Sequence, residues 1–442
     1  MYFSNADLKR LIVPLMIDQL LQTLVGIADS VMAASVGEAA VSGVSLVDTM
    51  MTLMILTSTA LATGGSVAAG QYLGQNNPKM ACQMSNELVV FSGKAFFMVM
   101  IFGYLGKDWI IDGLFGEIET EVANNCQMYF MIVLLSIPMI AVYNAAAALV
   151  RTMGDATIIM KLSLLMNGIN VAGNALLIYG FHIGVAGVAI PSVASRMVAC
   201  IAILLVLNQQ KRVLHLLHPI SLHNHPKLLK KILYIGIPNA MENGMFQMGK
   251  LLVLRIVSSF GTASIAANAV SNTLERFVVL PGNAIGMGLL TVTAYCVGKR
   301  DFVQTRYYTR KLLKMTYFWM TVFNLLLLLL LPVVIEIYGL SQEASRYVRQ
   351  IMVYHTFCTI AIWPLTFSFP YMLRAAGDVH FTMFWSMISM WIFRIGFSWI
   401  LGKWLNLGVF GIWVAMTIDW LFRSICFTIR YLGRRWEHRP IV

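Results

Sequence analysis

Apolar residues in this chain occur in unbroken stretches, not in the alternation of a half-buried strand or the narrow stripe of a surface helix. The stretches fall near 11–34, 46–70, 88–106, 124–150, 157–179, 184–207, 232–257, 265–296, 312–337, 347–373, 380–401 and 408–429, and polar or Gly-rich segments separate them. A helix that crosses a bilayer needs about 20 apolar residues, whereas a barrel strand would show alternation over about ten. The pattern therefore predicts twelve transmembrane helices in an all-α integral membrane protein. The run from Leu11 is too long for the core of a signal peptide and holds Asp18, Gln19 and Asp29, so it reads as a retained first helix.

The chain also matches itself at a shift of 224 residues. Pro14 falls on Pro238, Asp18 on Glu242, Gly37 on Gly261, Gly74 on Gly298, Asn77 on Asp301, Gly184 on Gly408 and Gly187 on Gly411. At 223, Arg151-Thr-Met-Gly154-Asp155 falls on Arg374-Ala-Ala-Gly377-Asp378. A nearly constant offset along the whole chain implies duplication. The expected organisation is a six-helix bundle over 1–207, a cytoplasmic linker over 208–231 and a second six-helix bundle over 232–442. An even number of spans per repeat gives both halves one orientation. Their pseudo-two-fold axis is then expected along the membrane normal, the arrangement in which two lobes rock about a central site.

Composition narrows the class further. The 442 residues are 58% hydrophobic and 12% charged, about half the charge of a soluble domain, and disordered chains are poor in apolar residues. The net charge of +12 would point to nucleic acid in a soluble protein, but its distribution gives another account. Lys and Arg gather at both termini and in the loops after the even-numbered helices. The loop 107–123 instead carries Asp108, Asp112, Glu117, Glu119 and Glu121. By the positive-inside rule both termini are cytoplasmic, and no nucleic-acid partner is expected. The linker holds Lys211, Arg212, Lys227, Lys230 and Lys231, with His215, His218, His223 and His225. A metal site there would need partners in fixed geometry, so a solvated linker is the simpler reading. The six cysteines are scattered without a CxxC, which indicates neither a disulfide framework nor zinc.

Ionisable residues inside a span are costly, and each is a functional candidate. Helix 1 carries Asp18, Gln22 and Asp29. An 11-residue step returns to within about 20° of its start and rises about 16 Å, so both acids share a face. Asp29 lies towards the outer side. Asp18 is open to a packing role near the inner end. Helix 5 carries Asn167, Asn170 and Asn174 on one stripe, which must face protein or water and not lipid; interhelical bonding alone would also explain it. Helix 7 carries Asn239, Glu242, Asn243, Gln247 and Lys250 within one arc, and Lys250 and Arg255 could simply snorkel. Glu275 and Arg276 are adjacent and need not pair.

Signatures of other classes are weak. Gly244 to Gly249-Lys250 has phosphate-loop spacing, but Leu251 stands where a hydroxyl should hold magnesium and no strand precedes it. HExxH and GxSxG are absent, and the histidines are not expected to cluster with acids inside the membrane. No catalytic residue, enzyme activity or resident metal is expected. A channel is disfavoured because the halves carry different polar sets, Asp29 falling on Val253.

These features together resemble the MATE family, the multidrug and toxic compound extrusion antiporters. The carriers are Pro14 to Gly37, the paired RxxGD turns, Gly184-Val-Ala-Gly187 and Leu280-Pro-Gly-Asn-Ala-Ile-Gly-Met-Gly288, and the resemblance spans essentially the whole chain. It implies export of organic, often cationic compounds in exchange for protons or sodium by alternating access. It also implies an ion-coupling site at Asp29, with Asn170, Asn174 and Ser192 completing it. Asn174 stands where many members have an acid. Phe246 and Gln247 stand near an acid that other members carry in helix 7, so the pattern is more similar to the DinF-like branch. Asp18, Gln22, Glu242, Asn243 and Gln247 are the candidates for the substrate cavity. The expected coupling ion is the proton, with sodium as the alternative, and no other cofactor is implied. The expected state is a monomer in the plasma membrane, surrounded by lipid, with a small organic molecule as its substrate. A lipid or lipid-linked oligosaccharide flippase of the same superfamily is the competing reading, with Arg196, Arg394 and Arg423 as candidates for its anionic headgroup.

Overall fold

A computed structural model of the chain describes residues 2–107, 109–111, 119–217 and 225–439. These residues are helical nearly throughout. Contacts divide the chain into two units, Asn5–Ala240 and Met241–Val442 with Met1–Ser4. Asp108, Asp112, Glu117, His218 and His223 lie outside the described residues.

The first unit holds α1 Asn5–Ala34, α2 Glu38–Gly74, α3 Pro78–Leu105, α4 Thr120–Leu134, α5 Ile137–Thr152, α6 Ala156–Ala175 and α7 Ala186–Leu207. A wide turn, Leu176–Gly180, extends α6. The apolar segment near 124–150 is a broken span, because α4 and α5 meet at 47°. Pro138 sits in the first turn of α5, where a proline cannot continue the hydrogen bonds of a preceding helix. Small residues allow close helix approach in this unit. A Cβ on Gly64 of α2 would lie 2.3 Å from the Ile232 carbonyl oxygen.

The remaining helices are α8 Pro226–Ser258, α9 Thr262–Gly298, α10 Phe302–Ile337, α11 Gln342–Trp363, α12 Phe369–Ala375, α13 Val379–Ser389 and α14 Gly408–Leu432. The wide turn Pro364–Ser368 joins α11 to α12, and two more, Met390–Gly396 and Ile400–Trp404, prolong α13. The core of the second unit centres on Trp363, Trp413 and Trp420 with Val348, Ile351 and Met352. Tyr2 and Phe3 belong to this unit, with Tyr2 Oη donating to Asp301 and the Phe3 N–H donating to Tyr308 Oη at 2.8 Å. The bond to Asp301 raises the Tyr2 hydroxyl above the usual tyrosine range.

Among the described residues ten helices are long and apolar enough to cross a membrane, and the bent pair α4–α5 makes eleven. The 33-residue α8 is as long but carries Lys227, Lys230, Lys231, Glu242, Lys250 and Arg255, which dilute its hydropathy. With α8, and the bent pair counted as one span, the described residues hold the twelve helical spans of an all-α integral membrane protein.

The duplication is written into the backbone. Left-handed residues occur in pairs 224 apart, Gly37 with Gly261, Asn76 with Arg300, His182 with Asn406 and Gly184 with Gly408, and Gly154 pairs with Gly377 at 223. Helices α2 and α9 have the same length of 37 residues. The capping residues correspond too: Asn77 accepts from the Met80 N–H and Asp301 from the Gln304 N–H.

The described part of the 208–231 stretch is partly built into the first unit. Leu214 and Leu216 are buried, Arg212 pairs with Asp155 at 3.4 Å, and His215 Nδ1 lies 3.7 Å from Cys82 Sγ. The His225 N–H donates to Glu87 Oε2. Pro226 then opens α8 from its first position, where its missing N–H is harmless. Among the described residues no group of three or more His, Cys, Asp or Glu could hold a metal ion.

Candidate functional site

The first unit assembles its polar residues around Asp29 on α1. Asn174 Nδ2, on α6, donates to Asp29 Oδ1 at 2.7 Å and to Asn170 Oδ1 at 3.4 Å. Asn170 Nδ2 in turn donates to Ser192 Oγ of α7 at 3.0 Å. The structure thus brings Asp29, Asn170, Asn174 and Ser192 into one hydrogen-bonded chain. Asn167, Asn170 and Asn174 are all buried, so the helix 5 stripe of the sequence faces protein. Asn174 Oδ1 is buried without a hydrogen bond.

One residue the sequence reading passed over, Asp48, belongs to this site, and Arg196, read there only as a candidate for an anionic headgroup, joins it. Asp48 of α2 acts electrostatically on Asp29, and so does Arg196, one turn beyond Ser192 on α7. Tyr129 Oη of α4 donates to Asp48 Oδ1 at 3.1 Å, and Arg196 Nη1 donates to the buried Ser136 Oγ at the α4–α5 break. Two acids of different helices therefore share the field of one guanidinium. Asp48 lies inside the apolar segment near 46–70 and carries the same intramembrane-acid signal that singled out Asp29.

Asp18 and Glu242, the equivalent acids of the two repeats, have equivalent neighbours. Glu242 Oε2 pairs with Arg374 Nη2 at 2.9 Å. Asp18 is 97% buried, accepts from Gln22 Nε2 at 3.0 Å and feels the charge of Arg151. The Arg of each RxxGD turn thus faces the acid of the first helix in its own repeat. The Asp of each turn also meets an Arg further along: Asp155 takes Arg212, and Asp378 takes Arg430 and Arg439. Asn243 and Gln247 are half-buried on α8.

The second unit contains charges the sequence reading had not joined. Arg423 binds Asp419 through both nitrogens, Nε at 2.8 Å and Nη2 at 3.0 Å, and Arg394 Nη1 lies 3.9 Å from the same carboxylate. Three cations surround the Phe246 ring: Lys250 Nζ at 4.9 Å, the Arg394 guanidinium at 5.2 Å and that of Arg423 at 5.7 Å. Lys250 therefore sits over this ring. The expectation that intramembrane histidines stand apart from acids is corrected, because His355 Nε2 lies 3.8 Å from Glu275 Oε1. The pair joins α11 to α9, and contacts of that kind leave no trace in local sequence.

Comparison with known proteins follows the same duplication. The MatE family model matches residues 14–176 and again 238–400, two stretches whose starts lie 224 residues apart. The uncharacterised transporter YisQ of Bacillus subtilis is 25% identical over 96% of this chain and 93% of its own length. A Thermotoga maritima protein named as a probable multidrug resistance protein NorM is 23% identical over 99% of this chain and 94% of its own. A solved structure described as the outward-facing conformation of a multidrug resistance MATE family transporter superposes with a TM-score of 0.89. Its identity is 18%, covering 97% of this chain and 95% of that one.

Proposed function

The chain belongs to the MatE family, and on that premise we propose that it is a secondary active exporter of organic, cationic compounds. Protons moving inward drive it by alternating access, and Asp29 carries the proton. The proposal includes plasma-membrane residence, cytoplasmic termini and a monomeric state. Names of the relatives favour drug efflux, and the distribution of Lys and Arg favours the orientation.

The observation that carries the coupling assignment is the hydrogen-bond chain from Ser192 to Asp29. Desolvation disfavours a charged carboxylate, so an acid held by a buried amide network is suited to exchange a proton. Asp29 and Asp48 share the field of Arg196. Asn174 stands where many members have an acid and brings no second negative charge to offset a sodium ion, which favours the proton.

The test is uptake into inverted vesicles under an imposed proton gradient or sodium gradient, with ethidium as the transported cation. Wild type should accumulate ethidium with the proton gradient, and Asp29→Asn should lose gradient-dependent transport. Full proton-driven transport by Asp29→Asn overturns the assignment. Loss only in Glu242→Gln moves the carrier to the second unit.

A further inference from the structure

Lys250, Arg394 and Arg423 place three cationic groups around one aromatic ring within the second unit. Arg394 and Arg423 lie well inside spans, where charge is kept for function. The acids that face them are Asp419 and Glu275. Asp419 is wholly buried and is already committed to Arg423, with Arg394 and Ser389 beside it. Glu275 lies against His355 and shares its charge with Lys250 and Arg394. Three basic side chains thus meet two acidic ones, and exposed Arg276 adds further positive potential at Lys250.

The shortage is visible at one atom. Arg394 is 93% buried, yet its Nε makes no hydrogen bond. A guanidinium is a planar fork that matches carboxylate or phosphate oxygens. The backbone around it is the wide turn Met390–Gly396, and such turns within helices recur at functional sites. Flat apolar walls stand beside the cations: Phe367 packs on Phe246, Trp363 and Trp420. A structural ion-pair network would close its own charge, and this one does not.

We propose that the second unit binds the anionic group, carboxylate or phosphate, of an aromatic or amphipathic ligand, through Arg394 and Lys250 with Arg423 held behind them by Asp419. The ligand is either a transported organic zwitterion, whose cationic part suits the exporter reading, or an anionic phospholipid headgroup. Only the transported source rests on the exporter reading.

The test uses the purified full chain in phosphatidylcholine nanodiscs, with fluorescein as an aromatic anion and fluorescence anisotropy as the readout. Wild type should bind saturably. Lys250→Gln and Arg394→Gln should each weaken binding about tenfold, the lower end expected for a charged hydrogen bond. Lys250 is exposed, so its variant should fold, with elution on size exclusion as the check. The site is overturned if wild type does not bind fluorescein, or if folded Lys250→Gln binds as wild type does. Replacing phosphatidylcholine with phosphatidylglycerol separates the sources: competition assigns the site to lipid, and unchanged binding assigns it to a soluble anion. Ethidium transport by wild type is read separately. Transport without fluorescein binding sinks this site alone, and binding without transport sinks the exporter reading and the transported source with it, while the site stands.

Discussion

The two RxxGD turns offer one interaction in two degrees of burial, which makes the consequence of breaking it calculable. Asp378 is fully buried at its side chain and takes Arg430, itself 11% exposed, through its Nε and Nη2. Asp155 and Arg212 meet at 3.4 Å with both side chains 23% exposed. Removing one member of a buried pair leaves an uncompensated charge and costs about 3–5 kcal/mol. An exposed pair is worth about 0.2–1 kcal/mol, and partial exposure puts Asp155 near the top of that range. A unit of about 200 residues loses about 2–4 °C of melting midpoint per kcal/mol. Asp378→Asn should therefore lower the midpoint by about 6–20 °C, and Asp155→Asn by no more than about 4 °C. Thermal unfolding of the purified full chain in one detergent measures both. Equal shifts, or a larger one for Asp155→Asn, would refute the argument that burial sets the value of the pair.

Most of the span pattern was legible because it is chemistry of single segments: length, apolarity and the prolines and glycines between them. The duplication was legible for a further reason. A left-handed turn needs Gly, Asn or a residue forced into that shape, so Gly37 and Gly261 advertise the same backbone. What sequence could not supply was pairing at a distance. Glu242 read as a polar residue on a helix face, and its partner Arg374 lies 132 positions away. Even so, each repeat keeps both an acid on its first helix and an Arg in its RxxGD turn, and the coincidence of two kept pairs is a signal. The bend between α4 and α5 was hidden because the apolar run continues across it. Asp48 was missed for no physical reason, since an acid within an apolar span is the signal that found Asp29.

Other outcomes follow from close contacts and from topology. Gly64→Ala should markedly lower the melting midpoint, because its Cβ would land 2.3 Å from a carbonyl oxygen. Gly168→Ala should leave it level or raise it, since nothing lies within 4 Å and Ala gains about 1 kcal/mol in a helix. Tyr308→Phe removes the acceptor of the Phe3 N–H and the donor to the Phe3 carbonyl, so that amide should exchange hydrogen much faster while the rest of α10 does not. Orientation is tested at two exposed positions, Glu121→Cys and Lys211→Cys, with a membrane-impermeant maleimide on intact cells. The native cysteines give little background, four being buried and two half-buried. A charge bias in short loops fixes which side stays in the cytoplasm, so Glu121→Cys should label from outside and Lys211→Cys only after the membrane is opened. Labelling of Lys211→Cys from outside intact cells would overturn the cytoplasmic placement of the termini, because the number of spans between that stretch and each end is even.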